Sequence, residues 1–464
     1  MKIRTFALAA LVAMLAPAAF AQTCQNDPSQ FPAWLDAFRA EARAAGVSTG
    51  ALAALDGVRF EQGIVNRDRA QGVFAQTFVE FSDRMVNSYR LEQGARLIRD
   101  NAALFARIEQ EFGVPAPVIV AFWALETDFG ANTGDSPVIA SIATLAFDCR
   151  RPAEFRPHLL DALRLIDRGD LLPSEMVGAW AGELGQTQFQ PSDYLAAGVD
   201  YDGDGRVHLI RSVPDVLAST ANLLRQHGWR AGEPWLEEVR VPASMPWDRA
   251  DVSIQHAVAE WAGWGVTRRD GSALQQSRAP ASLVLPMGRN GPAFLAYANF
   301  QVYLEWNRSL VYSTTAAYLA TRLAGAPRVD PRGPVASLSI DQARQLQTIL
   351  AGQGYDVGRI DGIIGLQTRA AVRSVQDQFG LPADGYPTAD LLARLTGGVE
   401  ATTLSAEEAR ELQTLLLRQG FDIGAVDGVI GSRTRAALME MQRRYGLPPD
   451  GVADADFLAR LRAL

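Results

Sequence analysis

Apolar residues crowd the stretch from Val114 to Gly130, where Val118, Phe122, Leu125 and Phe129 fall at i, i+4, i+7 and i+11. That spacing predicts a helix with one face packed on a core. Pro115 and Pro117 suit its first turn. At about 100° per residue, Glu126 projects inside the apolar arc, between Phe122 and Ile119, while Asp128 points nearly the opposite way. A carboxyl group on a buried face resists ionising, so its pKa should rise above the usual value of about 4.3. Glu126 is therefore the candidate general acid. Helical periodicity also runs through Phe78 to Phe112 and Val213 to Gly228. Strand signals are short, at Trp235 to Val241 and Ser282 to Pro286. The expectation for residues 22–324 is one mainly α domain with a minor β element.

The C-terminal third repeats itself. Residues 340–395 return as 406–461 without a gap. Leu346-Gln347-Thr348 recurs as Leu412-Gln413-Thr414, Asp361-Gly362 as Asp427-Gly428, and Ile364-Gly365 as Ile430-Gly431. Thr368-Arg369-Ala370-Ala371 recurs as Thr434-Arg435-Ala436-Ala437, and Gly380-Leu381-Pro382 as Gly446-Leu447-Pro448. Each unit reads as three short helices separated by glycine-rich turns: one around Leu346 and Leu350, one after Thr368, one around Leu391 to Leu395. A unit of about 60 residues can just close its own core, and two copies make tandem modules rather than a solenoid. Modules at 338–396 and 405–464 follow. The proline-rich stretch 325–337 predicts a semi-rigid linker, and 397–404 a second one.

The N-terminus changes the picture of where the chain works. Lys2 and Arg4 precede an apolar run from Phe6 to Leu15 and a small-x-small site at Ala19-Phe20-Ala21. Residues 1–21 thus read as a secretory signal, with Gln22 as the mature start and a periplasmic, soluble protein as the result. No later stretch is long and apolar enough for a transmembrane anchor. Only two cysteines occur, Cys24 and Cys149. In an oxidising compartment such a pair is more often a disulfide than two free thiols. Lys2 is the only lysine, which removes Walker, Schiff-base and Ser-Lys chemistry from the mature chain. A formal charge of −8 argues against nucleic acid, whose phosphates select basic surfaces.

Three further motifs carry chemistry. Trp180 to Ser192 combines glycines, which allow close backbone approach, with Gln186, Gln188, Gln190 and Phe189, residues suited to the polar edges and flat faces of sugars. Its bland alternative is a helix-loop junction. Asp200, Asp202 and Asp204, with Gly205 and Arg206, occupy positions 1, 3, 5, 6 and 7 of an EF-hand-like loop. Position 12 is Arg211 rather than glutamate, so a standard hand fails; a calcium loop and an ion-free Asp-Gly turn stand as alternatives. No cofactor is required on this reading, and any calcium is structural. His158, His208, His227 and His256 are too scattered for a zinc site.

The residues Trp123 to Gly130, Gly182 to Ser192, Asp200 to Gly205 and Asn299-Phe300 through Trp306-Asn307-Arg308-Ser309 resemble, in order, the B-type lytic murein transglycosylases. Leu346-Gln347, Gly354, Asp361-Gly362, Gly365 and Thr368, with their second copies, resemble the common peptidoglycan-binding module. The resemblance implies a lysozyme-like α-rich catalytic domain and peptidoglycan glycan strands as partner. It implies that Glu126 protonates the β-1,4 glycosidic oxygen between N-acetylmuramic acid and N-acetylglucosamine, then deprotonates the muramyl C6 hydroxyl that closes a 1,6-anhydro ring. Ordinary glycosidases need two carboxylates; here the substrate supplies the nucleophile. Glu183 and Asp193 are the nearest candidates for a second acid, with surface or loop-capping roles the favoured reading of both. By resemblance, Gln188, Phe189, Trp306, Asn307, Gly185 and Tyr312 form the substrate-binding set, and Asp215 the closing ligand of the calcium loop. Trp306 stands where many relatives carry tyrosine and so lacks a hydroxyl contact there; Ala179 stands where some carry serine, which leaves a hydrogen bond to the acid to come from elsewhere. The alternatives are a hydrolytic muramidase and a non-catalytic wall-binding protein.

Overall fold

The computed structural model describes residues 27–70, 76–333, 335–396, 404–428, 430, 432–445 and 455–462. The signal segment 1–21, Cys24 and hence its pairing with Cys149, and all but the last residue of the 397–404 linker lie outside them.

The first domain is built around the helix Ala116–Thr127. Every residue from Val118 to Leu125 is buried. The predicted one-sided stripe is therefore too narrow: the helix is apolar all round because helices cover it on all sides. Leu310–Leu323 packs along it, with Ser88–Asp100, Val213–Gln226 and Ala102–Phe112 on its other flanks. Pro115 caps the helix and Pro117 sits in its first turn, where a missing N–H costs nothing.

The helix ends sooner than the periodicity predicts. Asp128 and Phe129 adopt φ of 51° and 63°, the left-handed region that non-glycine residues rarely enter. Phe129 thus lies beyond the helix and leaves the stripe assigned to it. The turn is held from outside: Arg90, itself buried, donates from Nε to Asp128 Oδ1 at 2.7 Å. Asp128 is thus oriented by this turn and by Arg90 rather than by helical phase.

Ser136–Pro137 pairs antiparallel with Val177–Gly178, and the other described strands form a five-stranded antiparallel sheet in the order His256–Ala257, Pro280–Val284, Ala293–Tyr297, Leu236–Arg240, Thr267–Arg268. Its face carries a satellite core of Val239, Trp261, Leu283 and Leu295, separate from the main helical core. Pro280–Val284 and Leu236–Arg240 overlap the segments that the sequence marks as strand-forming, and they flank the central strand Ala293–Tyr297, which it does not mark.

Residues 325–337 are a strap rather than a free linker. Arg328 pairs with Asp83 at 2.7 Å, Val329 N–H donates to the Tyr318 hydroxyl, and Asp330 N–H donates to Glu238. Val329 is buried in the main core. The prolines limit the chain's freedom, and these polar contacts remove most of what remains.

Each module contains three helices: Ile340–Gly352, Leu366–Gln378 and Ala389–Leu395 in the first, Ala406–Arg418, Ser432–Arg444 and Ala455–Arg462 in the second. Capping boxes at Ser339/Gln342 and Ser405/Glu408 start the first helix of each. The repeated Leu-Gln pair has a physical basis. Gln347 is fully buried, accepts from Gly362 N–H at 2.8 Å and donates to the carbonyls of Arg359 and Ile363. Gln413 makes the matching bonds to Gly428 N–H and the Ala425 carbonyl. The Asp-Gly loops are therefore shaped from behind by one buried amide each.

Candidate active site

The acid helix delivers Glu126 to the floor of a cleft of about 460 Å³. Around it stand Trp180, Glu183, Gln188, Phe189, Asn307 and Trp306. The loop that supplies three of these is tightly folded. Leu184 and Phe189 exchange both backbone hydrogen bonds, and Gln188 between them takes φ of 54°. Gly185, at φ 79°, is pressed so closely on Leu209 that an added Cβ would lie 2.6 Å from its carbonyl oxygen. Gly185 thus shapes the loop from behind and does not line the cleft, unlike its assigned role in substrate contact.

A polar seam joins this loop to the end of the acid helix. Trp123 Nε1 donates to Gln186 Oε1 at 2.9 Å, Thr127 Oγ1 donates to the Gln186 carbonyl, and Gln186 Nε2 donates to the Ile210 carbonyl. Glu126 therefore sits on a helix whose terminus is fixed on two sides, by Arg90 and by Gln186. Such fixation is what a proton donor needs, because its geometry must be set before substrate arrives.

Two donors converge on one oxygen of Glu126. Trp306 Nε1 lies 2.9 Å from Oε1, and the Tyr312 hydroxyl also donates to Oε1. Trp306 is clamped between Phe122, ring centres 4.3 Å apart, and Phe189, 5.8 Å away edge-on. This clamp aims the indole N–H. The hydroxyls absent at positions 179 and 306 are thus replaced by an indole and by the buried phenol of Tyr312. Tyr312 holds the acid from behind the cleft instead of lining it. No hydrogen bond to Oε2 occurs among the described residues, so the proton belongs on Oε2, the oxygen left for a ligand.

Burial pushes the Glu126 carboxyl up to about 7. Loss of solvent is the main cause; the Tyr312 and Trp306 bonds pull the other way, and the charge of Glu183 adds a further push upward. Part of the side chain still reaches the cleft, so the group is desolvated yet accessible. Its Tyr312 partner is held well above the ordinary phenol value, chiefly by burial, and stays a donor.

Of the two roles favoured from sequence, surface or loop-capping carboxylate, Glu183 does not take the first. It lines the same cleft, accepts from Gln190 Nε2 at 3.3 Å, and burial raises its pKa. Asp193 also borders the cleft, and burial raises it too. Gln188 spends its amide nitrogen on the carbonyls of Thr133 and Gly185. Asn307 uses Oδ1 to accept from Ser309 N–H. Glu305 and His227 join the cleft wall without a signal in the sequence, each carried there by a helix end.

The carboxylates of Asp200, Asp202 and Asp204 converge within 4.8 Å of one another at the surface. Asp200 accepts from the N–H groups of Gly203 and Gly205, which curls the loop around the cluster. Asp215 does not join it as a fourth ligand. It is fully buried and spends both oxygens on the N–H groups of Tyr201, Asp202 and His208. Arg206 turns its guanidinium to the Asp170 carbonyl and Glu175. The three aspartates fit a hard divalent cation, with Asp215 as the brace of the loop.

Residues 30–321 match the transglycosylase SLT domain family, and 339–395 and 405–461 each match a peptidoglycan binding domain. The chain is 29% identical over 221 residues to membrane-bound lytic murein transglycosylase B of Escherichia coli, covering 47% of this chain and 59% of that protein. It thus spans less than two thirds of that curated relative. Among solved structures, SltB3 from Pseudomonas aeruginosa in complex with NAG-anhNAM-pentapeptide is similar with a TM-score of 0.74 and 40% identity, over 79% of this chain and 99% of that one. SltB1 from the same organism is similar with a TM-score of 0.56 and 27% identity, over 63% and 97% of the two chains. The chain belongs to the transglycosylase SLT domain family.

Proposed function

We propose that the protein is a lytic transglycosylase that cleaves the β-1,4 bond between N-acetylmuramic acid and N-acetylglucosamine in peptidoglycan and leaves 1,6-anhydro-muramyl ends. The observation that carries this reading is Glu126 itself: one accessible carboxyl, raised to about 7, with both protein donors on Oε1. A group poised there is protonated and ionised in comparable amounts near neutral pH, as one residue acting as acid and then base requires.

Oε2–H delivers its proton to the glycosidic oxygen as the C1–O bond breaks. The N-acetylglucosamine side leaves as an alcohol, and positive charge develops at C1 of the muramyl ring. Trp306 and Tyr312 steady the carboxylate that remains. That carboxylate then takes the proton of the C6 hydroxyl while the C6 oxygen bonds to C1. Glu126 ends protonated, and no water is consumed. The family and the anhydro-muramyl ligand of the SltB3 structure support the product, and the two modules support wall polymer as substrate.

Glu183 in the same cleft favours a second reading, hydrolysis with Glu183 as the water-activating base. Burial of Glu183 works against that role, because it disfavours the charged form that a water-activating base must hold. Mass spectrometry of soluble products from purified sacculi distinguishes the two. Anhydro-muramyl ends are expected; reducing muramyl ends would overturn the transglycosylase reading.

We also propose that Asp200, Asp202 and Asp204 hold a structural calcium ion. Calcium at a hundred times its Kd should then stabilise the fold by about 2.7 kcal/mol, read as a rise in Tm that Asp202→Ala removes. Identical melting in chelator and in millimolar calcium would sink the idea.

A further inference from the structure

The two C-terminal modules are alike in sequence but not in setting. The first lies against the catalytic domain. Arg369, 7% exposed, donates to the carbonyls of Leu285 and Pro286, and Arg373 pairs with Asp251. Asp384 Oδ2 accepts from Arg289 N–H at 2.9 Å. Tyr386 is buried in the main catalytic core, and Leu366 packs on it. Gly288 meets Tyr386 so closely that an added Cβ would sit 2.6 Å from the tyrosine Cβ. Docking of this kind excludes even a methyl group at the seam.

The contact covers one side of the loop that a free module would offer to a ligand. Gly362 and Ile364 face Gln76, Thr77, Pro286 and Val311 across a crevice of about 60 Å³. That volume admits a few waters and falls well short of the roughly 300 Å³ or more of a ligand pocket.

The second module keeps two of the docking residues, Arg435 for Arg369 and Asp450 for Asp384, and departs from the first at three others. Where the first has Leu366, Arg373 and Tyr386, the aligned residues of the second are Ser432, Met439 and Val452. The apolar wedge, the salt-bridging cation and the core-filling ring are all gone. The described ion pairs of this module, Arg462 with Glu411, Arg443 and Arg444 with Glu440, and Arg433 with Asp422, stay within it, around its own core of Leu412, Leu416 and Leu438.

The docked module also reaches the catalytic acid through one helix turn. Leu310 shares a crevice with Leu366, Arg369 and Arg373, and Val311 shares one with Gly362, Ile364 and Tyr386. Both belong to the first turn of the Leu310–Leu323 helix, whose third residue is Tyr312, the donor to Glu126.

We propose that the repeats have divided their labour: the first module is a fixed part of the catalytic body that positions Tyr312 against Glu126, and the second is the tether that holds peptidoglycan. This rests on the transglycosylase reading above. Arg369, Arg373 and Tyr386 act through Tyr312 and are positioning residues.

The test gives the first module, within the full chain, the second module's own residues: Leu366→Ser, Arg373→Met and Tyr386→Val. On a short soluble glycan oligomer, kcat should fall between about tenfold and about a hundredfold, the cost of a small misplacement at the reacting groups. The basic limb of the pH profile should move upward as the Tyr312 bond weakens, while retention on sacculi stays unchanged. If wild type yields no anhydro ends, the activity reading fails. If wild type cleaves and the variant matches it in rate and pH profile, the division of labour fails. Should the triple variant not fold, the exchange Arg373→Asp with Asp251→Arg replaces it: each single change lowers kcat and the pair restores it, and pairwise additivity would overturn the proposal. The tether is tested on folded protein carrying a protease site inserted between 397 and 403. After cutting, the body should keep its turnover of the soluble oligomer and leave the sacculi, while the released second module stays bound. A released module that fails to bind refutes its role.

Discussion

Replacing Glu126 by glutamine should lower kcat on sacculi by about a thousandfold or more, since one side chain loses both the acid and the base step and each contributes about a hundredfold or more. Retention on sacculi should be unchanged, because the modules are untouched. Glutamine keeps the volume and can still accept from Trp306 and Tyr312 through its carbonyl, so the loss reports proton transfer rather than collapse. The same variant should be more stable at alkaline pH. The native carboxyl, at about 7 against 4.5 for an exposed one, holds its proton more tightly than the unfolded chain does. Stability therefore falls as pH rises from 4.5 to about 7 and is flat above, a loss of up to roughly 3 kcal/mol for the full shift. Glutamine never ionises and escapes it. Anhydro ends produced at an undiminished rate, or a Tm difference between variant and wild type that does not widen with pH across that window, would refute the assignment.

Removing the phenol with Tyr312→Phe is the second large effect. The hydroxyl favours the charged form of Glu126, so its loss raises the carboxyl further. A hydrogen bond to a charged group is worth about 1.5–3 kcal/mol, so the basic limb of kcat/KM should move up by roughly one to two pH units. On the neutral plateau kcat should still fall about tenfold or more, since the carboxylate formed after the first proton transfer loses one of two supports. Trp306→Phe should shift the limb in the same direction, keeping the stacking on Phe122 while losing the donor. A Tyr312→Phe profile that overlays wild type would show that the bond carries no catalytic weight.

Much of this site was readable before any coordinates, and the reasons differ by residue. Glu126 stood out because a charge inside an apolar run violates the pattern that folding imposes. The repeats, and the order of the SLT motifs, are properties of sequence alone. Other features depend on contacts between positions far apart in the chain. Tyr312 reaches Glu126 across a helix-helix contact that spacing cannot reveal, and its place in the motif suggested a substrate contact instead. The resemblance makes Asp215 the closing ligand of the loop; only its burial and its three backbone donors show that it braces the loop. For Glu183 the sequence favours a surface or loop-capping role, and only the packing around the cleft shows that the carboxyl is buried there. The narrow stripe assigned to the acid helix failed for another reason. Val120, Ala121, Trp123 and Ala124 are as buried as the stripe itself, and a helix covered on all sides has no periodicity to read. The segment 325–337 has a linker's composition, and it took the partners Asp83, Glu238 and Tyr318 to turn it into a strap.

That strap sets how far the enzyme can graze. On the proposed division of labour, with the strap tied down and the first module seated, body and anchor are joined through 397–403, and seven residues reach at most about 25 Å. A molecule held at one point on the wall therefore works a small circle around its own mooring. It must let go and rebind before it can open a new patch.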